Sequence, residues 1–268
     1  MTEVEATDAA ERAEEAAEAI VVAAVAPLHA EPRVTSTQIS QHLAGASLVV
    51  LEDLSDWLRV RGVDGYEGWM HRGYLARLRP PVARQAGPRA RVSLGAVVRD
   101  KLGTRRELPL GAALAPDDVV ESGEVASAEE LAARFPSTPA AIARTAERYF
   151  VGASYLWGGV TPWGADCSGF VQAIYALHGV TLPRDAWQQA LEGVDAGRDA
   201  RRLQPADLLF FSDRPDKHVT HVGMSLGDGR MAHVALGRGG FAVERLDDAT
   251  DPFVRALLEK FLFAKRVL

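Results

Sequence analysis

Between residues 20 and 80, short runs of alternating apolar and polar positions are separated by turn residues. The run Asp56–Arg61 alternates in part, and a second run follows over Tyr66–Met70. Asp64-Gly65 lies between them, and an Asp-Gly turn between two aromatic-bearing runs favours a β-hairpin. Short strands at this spacing predict a small β-barrel.

The apolar run Ala19–Ala30 ends in small residues, as the core of a secretory signal peptide does. Residues 1–18 hold seven acidic side chains against one basic side chain, Arg12. A signal peptide needs a positively charged leader, and about 20 apolar residues are needed to span a bilayer. We therefore predict an acidic lead over residues 1–18, followed by the first β-strand of a domain, and a cytoplasmic protein.

Two changes of composition divide the remaining chain. Residues 79–92 are rich in Pro and Arg, and we interpret them as a solvated linker, with a basic contact strip as the alternative. Residues 92–132 again show β-type patterning, which predicts a second, more divergent barrel. From Phe135 the character changes, because Ser137-Thr138-Pro139 supplies capping residues and a proline suited to a first helical turn, opening a helix to about Phe150. We place a third domain over residues 136–268.

Composition and charge exclude some classes of partner. The 268-residue chain is 47% hydrophobic and 25% charged, which is typical of globular proteins. Its net charge of −6 provides no general attraction to nucleic acid or to an anionic membrane surface, so neither partner is expected. A single cysteine excludes an internal disulfide and fits a reducing compartment. The oligomeric state is left open.

That single cysteine lies in the densest motif of the chain. The string Tyr155-Leu-Trp-Gly-Gly159 precedes Asp166-Cys-Ser-Gly-Phe170, and residues 168–178 have helical apolar spacing. Cys167 is therefore expected at the N-terminus of a helix, where the helix dipole and unpaired amides lower a thiol pKa and stabilise an oxyanion. The pattern predicts a nucleophile. A small buried cysteine is the alternative.

A candidate base follows downstream. We predict a strand over 221–226, a turn at Gly227-Asp228-Gly229 and a returning strand that carries His233. A three-residue loop places His221 and His233 on one face as diagonal neighbours, whereas a two-residue loop places them on opposite faces. In the first case His221 is the base and His233 orients it. His218, three residues before His221, suggests a metal site as the alternative, but no acid or cysteine ligand set accompanies the pair, so no metal or cofactor is predicted.

The order of these motifs resembles the NlpC-type papain-like cysteine peptidases of bacterial cell-wall turnover. The resemblance rests on YLWGG, DCSGF, LPR, the HVG strand and the later histidine, and it covers about 130 residues. It implies that Cys167 is the nucleophile, His221 the base and His233 the third member of a triad. It also implies a cell-wall peptide as substrate.

The upstream string DWLRVRGVDGYEGWMHRGYL resembles the bacterial SH3-like domain. We therefore expect an α+β fold with two small SH3-like β-barrels, over 19–80 and 81–135, the latter with the linker. A papain-like domain of a helical subdomain packed on an antiparallel sheet follows them. This organisation is similar to the muropeptide-recycling branch of the family, whose members are γ-D-glutamyl-L-diamino acid endopeptidases that require a free N-terminal L-Ala.

The same resemblance implies a set of substrate-binding residues. By position in the motifs, these are Tyr155, Trp157, Asp166, Ser168, Arg184, Asp185 and, from the first barrel, Tyr66. Asp166 suits a substrate ammonium, and Arg184 suits a substrate carboxylate. The alternatives are purely structural roles, which are core packing for the aromatic residues and helix capping for Asp166 and Ser168.

The chain departs from that branch at a residue that matters for specificity. Thr37 stands where the branch has a glutamate that helps to bind the free amine, and Ser154 and Ala186 replace a Pro and a frequent Ser. Two alternatives therefore stay open. One is an amidase or acyltransferase with the same Cys-His-His site, and the other is a non-catalytic protein that binds cell-wall peptides.

Overall fold

The computed structural model describes residues 18–77 and 91–268. The acidic lead, apart from Glu18, and residues 79–90 of the Pro- and Arg-rich segment lie outside the described residues. The chain divides into two compact units. One comprises the chain up to Leu108 together with Ala112–Val125, and the other comprises Pro109–Gly111 and Ala126–Leu268. The domain limits at residues 19, 80, 135 and 268 stay predictions.

The first unit is built on a seven-stranded antiparallel sheet. Its strands are β1 Glu18–Val21, β2 Val25–His29, β3 Gln38–Leu43, β4 Ser47–Leu54, β5 Trp57–Arg61, β6 Glu67–His71 and β7 Leu75–Arg77. Their spatial order in the sheet is β3-β2-β6-β5-β4-β1-β7. Leu58 and Val60 alternate inward along β5 and pack with Met70 of β6 in the core. The predicted hairpin is present, with Gly65 at a positive φ of 78° in its turn.

The apolar run from Ala19 to Ala30 forms two strands, which corrects the expectation of one. β1 pairs with β4 and β7, whereas β2 pairs with β3 and β6. The chain bends between Val21 and Val25, and the amide of Val22 donates to Tyr74. A small sheet has no room for a strand of this length, so the bend lets both halves pair within it.

Residues 91–127 form a separate three-stranded sheet in the order β10-β8-β9, in which β8 and β9 run antiparallel. Its strands are β8 Arg91–Arg99, β9 Arg105–Leu108 and β10 Val119–Ser127. Val98 and Leu108 are buried together with Leu114 in a small core. Whether this region is a second SH3-like domain stays a prediction.

The second unit combines helices with a six-stranded antiparallel sheet in the order β13-β18-β14-β15-β16-β17. The helices are α1 Ala128–Arg134, α2 Pro139–Tyr149, α3 Cys167–Leu177, α4 Ala186–Gln189 and α5 Pro252–Glu259. The sheet strands are β13 Val194–Gly197, β14 Leu208–Phe211, β15 His221–Gly227, β16 Arg230–Ala235, β17 Gly240–Arg245 and β18 Phe261–Arg266, and a short hairpin is formed by β11 Val160–Thr161 and β12 Gly164–Ala165.

Helix α3 contacts β15 and β16, and this contact positions the candidate site. Phe170, Ile174 and Tyr175 repeat at helical spacing and are fully buried. The hydroxyl of Tyr175 donates to the carbonyl of Ala206 at 2.6 Å, so burial leaves that polar group bonded. Within residues 18–77 and 91–268, no helix is long and apolar enough to cross a membrane.

Candidate active site

Cys167 is the first residue of α3, and a tightly bonded loop holds it there. Asp166 is the N-cap, and its Oδ1 accepts from the amide of Gly169 at 2.7 Å while its Oδ2 accepts from that of Gly158 at 2.8 Å. A methyl group at Gly169 would overlap the carbonyl oxygen of Gly159. The glycines of the two motifs therefore let the loop and the helix backbone meet at the cysteine.

His221 and His233 lie on the same side of the sheet, and the structure decides between the two geometries that the sequence left open. The turn has two residues, Asp228 and Gly229, both with positive φ. A β-bulge between Ser225 and Gly227 shifts the register by one residue, which reverses the face assignment of a regular two-residue hairpin. Nε2 of His221 consequently lies 3.0 Å from Nδ1 of His233.

The thiol of Cys167 lies against β15 beside His221. The backbone amides of Val222, the next residue after His221, and of Ser168 both hydrogen-bond to the sulfur. His221 itself is half-buried, and its ring also contacts Phe211. The contact between α3 and β15 thus brings together the nucleophile and base that were predicted 54 residues apart in the sequence.

Burial determines the protonation of this pair. It raises the pKa of the Cys167 thiol to about 12, with a further contribution from the charge of Asp166, against the bonds from Val222 and Ser168. Burial, with His233 and Lys260, lowers the pKa of His221 to about 3. The amide of Ser168 at the helix N-terminus lowers the thiol pKa in the expected direction, but desolvation of the charged form is the larger effect and the net shift is upward. With these pKa values both the thiol and the imidazole are uncharged at neutral pH.

Asp166, Ser168 and Arg184 form a buried network behind the cysteine. The Arg184 guanidinium donates to both oxygens of Asp166, at 3.1 and 2.7 Å, and to the hydroxyl of Ser168 at 2.9 Å. Arg184 is only 1% exposed. The sequence suggested that Arg184 meets a substrate carboxylate, but these contacts direct it to Asp166 instead. A direct substrate role for it stays a prediction that the pairing disfavours.

The other predicted substrate residues lie in different surroundings. Tyr155 is partly buried, and burial together with the electrostatic effects of Cys167 and Asp166 raises its pKa to about 12. Trp157 is 61% exposed. Asp185 is the N-cap of α4, where its amide donates to Gln188. Tyr66 belongs to the first unit, in which it packs against the core.

Glu244 is a residue of this region that sequence reasoning missed. It is buried on β17, and its Oε1 lies 3.2 Å from Nε2 of His233. No motif in the sequence marks it, and its only local signal is an acid within the largely apolar stretch 241–246. The pairing of β17 with β16 is what brings Glu244 to His233.

The histidines have no surroundings typical of a metal site. No group of three or more His, Cys, Asp or Glu side chains in the described part of the chain could hold a metal ion. His218 is exposed and its ring contacts Trp187. A thiol at a helix N-terminus, close to a histidine that hydrogen-bonds to a second histidine, is the arrangement expected of a papain-like cysteine peptidase.

Two family models match the chain. The NlpC/P60 family model matches residues 152–251, and the bacterial SH3 domain model matches residues 24–76. The chain therefore carries an NlpC/P60 cysteine peptidase domain, preceded in the sequence by a bacterial SH3 domain. The predicted α+β class, with an SH3-like β-domain followed by this catalytic domain, is confirmed.

Curated relatives share most of the length of the chain. A γ-D-glutamyl-L-lysine dipeptidyl-peptidase of Bacillus cereus is 29% identical over 72% of this chain, and the match spans 66% of that protein, just under two thirds. A protein of the same name from Bacillus subtilis is 27% identical over 72% of this chain and 71% of its own. Dipeptidyl-peptidase 6 of Lysinibacillus sphaericus is 29% identical over 86% of this chain and 92% of its own.

A solved structure supports the fold across nearly the whole chain. A crystal structure of an NlpC/P60 family protein from Bacillus cereus superposes with a TM-score of 0.76 at 21% identity. It covers 94% of this chain and 99% of that chain. Because the identity is only 21%, this likeness shows the fold alone.

Proposed function

We propose that this protein hydrolyses the γ-D-glutamyl–L-diamino acid bond of cell-wall peptides through an acyl-enzyme on Cys167. The observation that carries the proposal is the hydrogen bond of 3.0 Å between His221 and His233 beside the buried thiol. The similarity to two proteins named γ-D-glutamyl-L-lysine dipeptidyl-peptidase supports the choice of bond.

The chemistry follows from the protonation of the pair. As the sulfur of Cys167 attacks the γ-carbonyl carbon of D-Glu, His221 takes the thiol proton and the carbonyl π-electrons move to oxygen. Collapse of the tetrahedral intermediate breaks the C–N bond, and His221 returns the proton to the departing amine. Water, deprotonated by His221, then attacks the thioester and releases the free γ-carboxylate and the thiol.

Neutral starting groups suit this sequence. A buried thiolate–imidazolium pair is costly without further charges, so the proton transfer is coupled to the attack rather than completed beforehand. A nucleophile at a helix N-terminus usually finds an amide donor for the developing oxyanion there, and the proposal assigns that role to the start of α3. No step needs a metal or an organic cofactor.

We further propose that Tyr155, Trp157, Asp166 and Ser168 form the wall that receives the stem peptide, with Tyr66 as a contribution from the SH3-like domain. Tyr155 shares the electrostatic environment of Cys167, and Trp157 offers an exposed aromatic face. The ion pair between Arg184 and Asp166 competes with a substrate ammonium for the Asp166 carboxylate.

A cytoplasmic location and a role in recycling complete the proposal. Both rest on the resemblance to the recycling branch and on the relatives named dipeptidyl-peptidases. Fractionation of the source cells, with an antibody to the protein, tests the location. Accumulation of intracellular stem peptides after deletion of the gene tests the role.

Mass spectrometry of defined peptides tests the reaction. L-Ala-γ-D-Glu-L-Lys, its meso-diaminopimelate counterpart and an N-acetylated version of each are incubated with the wild-type protein and with Cys167→Ala. The expected product is L-Ala-D-Glu from the peptides with a free amine, and no product with Cys167→Ala. Cleavage of the acetylated peptides at equal rates would show that Thr37, in place of an acid, has removed the free-amine requirement. No cleavage of any of the four peptides would overturn the proposal.

A further inference from the structure

Three hydrogen-bonded side chains come from three neighbouring strands close to Cys167. His221 begins β15, His233 lies in β16 and Glu244 lies in β17. In the β16–β17 register His233 is opposite Ala242, so Glu244, two residues further along, projects from the same face. The chain of contacts runs from His221 Nε2 to His233 Nδ1 at 3.0 Å, and from His233 Nε2 to Glu244 Oε1 at 3.2 Å.

Glu244 is held as an ion in this position. Burial alone would raise its pKa, but hydrogen bonds from His233 and Arg238 outweigh burial and lower the pKa to about 2. Arg238 binds it with two parallel hydrogen bonds, from Nε to Oε1 at 2.7 Å and from Nη2 to Oε2 at 2.8 Å. The guanidinium also contacts Asp251 at 2.5 Å and lies 4.2 Å above the Phe253 ring.

The ionised carboxylate fixes the protons of both imidazoles. It accepts hydrogen bonds and has none to donate, so Nε2 of His233 carries the proton. Nδ1 of a neutral His233 is then an acceptor, and Nε2 of His221 must be the donor in the 3.0 Å contact. The remaining nitrogen of His221, Nδ1, consequently keeps its lone pair, which is the form that a base for the Cys167 thiol requires.

We propose that Glu244 is a positioning residue of this site, which acts through His233 to hold His221 in its basic tautomer and to stabilise the imidazolium formed during attack. The proposal deepens the proposed function and rests on it for the identity of the reaction. The other charged groups around the dyad are Arg238, Asp251 and Lys260, and the last lies close enough to His221 to disfavour its protonation. Glu244 is the anion in direct contact with the histidine pair.

A purely structural role is the competing explanation, since the pair formed by Arg238 and Glu244 also ties β17 to the chain before it. The chain offers a matched control. Arg266 binds Asp207 with two parallel bonds of 2.8 and 2.7 Å, and Asp207 is 1% exposed. This pair lies in the same sheet and contacts neither histidine, so Asp207→Asn removes an equivalent buried charge without touching the dyad.

The test measures the rate at which iodoacetamide alkylates Cys167 at pH 7, which needs no substrate. Glu244→Gln keeps the shape and an acceptor oxygen but removes the charge, whereas Glu244→Ala removes both. Because hydrogen bonds to charged groups contribute about 1.5–3 kcal/mol, or roughly 10- to 150-fold, we expect losses of at least tenfold for Gln and larger losses for Ala. Asp207→Asn should change the rate by less than about twofold while lowering the urea midpoint.

A double-mutant cycle separates positioning from packing. In a His233→Ala background, Glu244→Gln should have no further effect on alkylation, because the group through which it acts is gone. Equal effects in both backgrounds, or a rate loss in Asp207→Asn as large as in Glu244→Gln, would overturn the proposal. If the Glu244 variants lower the alkylation rate as expected but the wild-type protein cleaves no peptide, the proposed reaction is rejected and the role of Glu244 stands.

A measurement on the wild-type protein covers the case in which the variants do not fold. Long-range ¹H–¹⁵N spectra of the histidine side chains report which ring nitrogen carries the proton. Both His233 and His221 are expected in the Nε2–H form at pH 7. An Nδ1–H form at either residue contradicts the proposal.

Discussion

Arg184 places its guanidinium against both carboxylate oxygens of Asp166, and the two side chains are 1% and 8% exposed. This pair lies directly behind the nucleophile, since Asp166 is the residue before Cys167. Removing one member of a buried pair leaves an uncompensated charge, which typically destabilises by about 3–5 kcal/mol. Arg184→Met should therefore lower the free energy of unfolding by about that amount in urea titrations.

Two further variants check that interpretation. The double variant Asp166→Asn/Arg184→Met should recover part of the loss, because no buried charge then remains. Arg214→Met removes an exposed pair with Asp216, both side chains being 55% exposed, and should change the stability far less than Arg184→Met, because solvent screens an exposed pair. A double variant less stable than Arg184→Met would contradict the assignment.

The close approach of Gly169 to Gly159 predicts a strict requirement for glycine. In Gly169→Ala the added methyl group meets backbone rather than a movable side chain, so the start of α3 must shift. We expect a destabilisation of about 2–4 kcal/mol and at least a hundredfold lower peptidase activity. Thermal unfolding and the rate of stem-peptide cleavage measure the two effects. Ala176→Gly, at an exposed position of the same helix, should cost about 1 kcal/mol and leave activity unchanged.

The lowered pKa of His221 predicts a loss of stability in mild acid. In the unfolded chain its imidazole takes up a proton near pH 6.5, whereas in the folded chain it does so only near pH 3. Between these values the unfolded state binds more protons, so stability falls as the pH is lowered below 6.5, by up to about 1.4 kcal/mol per pH unit for this group. His178, also buried with a lowered pKa, adds to the slope.

Denaturant titrations between pH 6.5 and 5 measure this dependence. His221→Asn should show a shallower slope than the wild type, with the part due to His178 remaining. Identical slopes in the two proteins would mean that folding does not lower the pKa of His221.

The two histidines of the HVTH segment should differ sharply in their contribution to activity. His221 lies beside the thiol and is bonded to His233, whereas His218 is exposed and its ring contacts only Trp187 among the described aromatic residues. Loss of a general base typically lowers the rate by about 10²–10⁴-fold. We expect that range for His221→Ala and less than about threefold for His218→Ala, measured as kcat/KM on a stem peptide. A severe loss in His218→Ala alone would reverse the assignment of the base.

Local signals were enough to predict the elements that carry the site. The Asp-Cys-Ser-Gly motif between a glycine-rich loop and an apolar helical repeat predicted α3, because capping and periodicity depend on neighbouring residues. The hairpin after His221 was likewise predicted from its Gly-Asp-Gly turn. In the first unit, alternation at Leu58 and Val60 predicted the inward face of β5.

Other features could not be predicted because they depend on residues far apart in the chain. The single apolar run Ala19–Ala30 became two strands once other strands were available to pair with each half. The face shared by His221 and His233 depended on a bulge at Leu226, which no turn motif encodes. Glu244 acquired its partner only when β17 came to lie beside β16.

Cys167 shows both sides of this division. The sequence by itself determined that the cysteine begins a helix after an acidic cap, because those preferences are set by the adjacent residues. Only the tertiary structure decided its charge. Packing of α3 against β15 buries the sulfur. In that environment the energy of desolvating a thiolate exceeds the stabilisation from the helix terminus, which raises the pKa of the thiol to about 12.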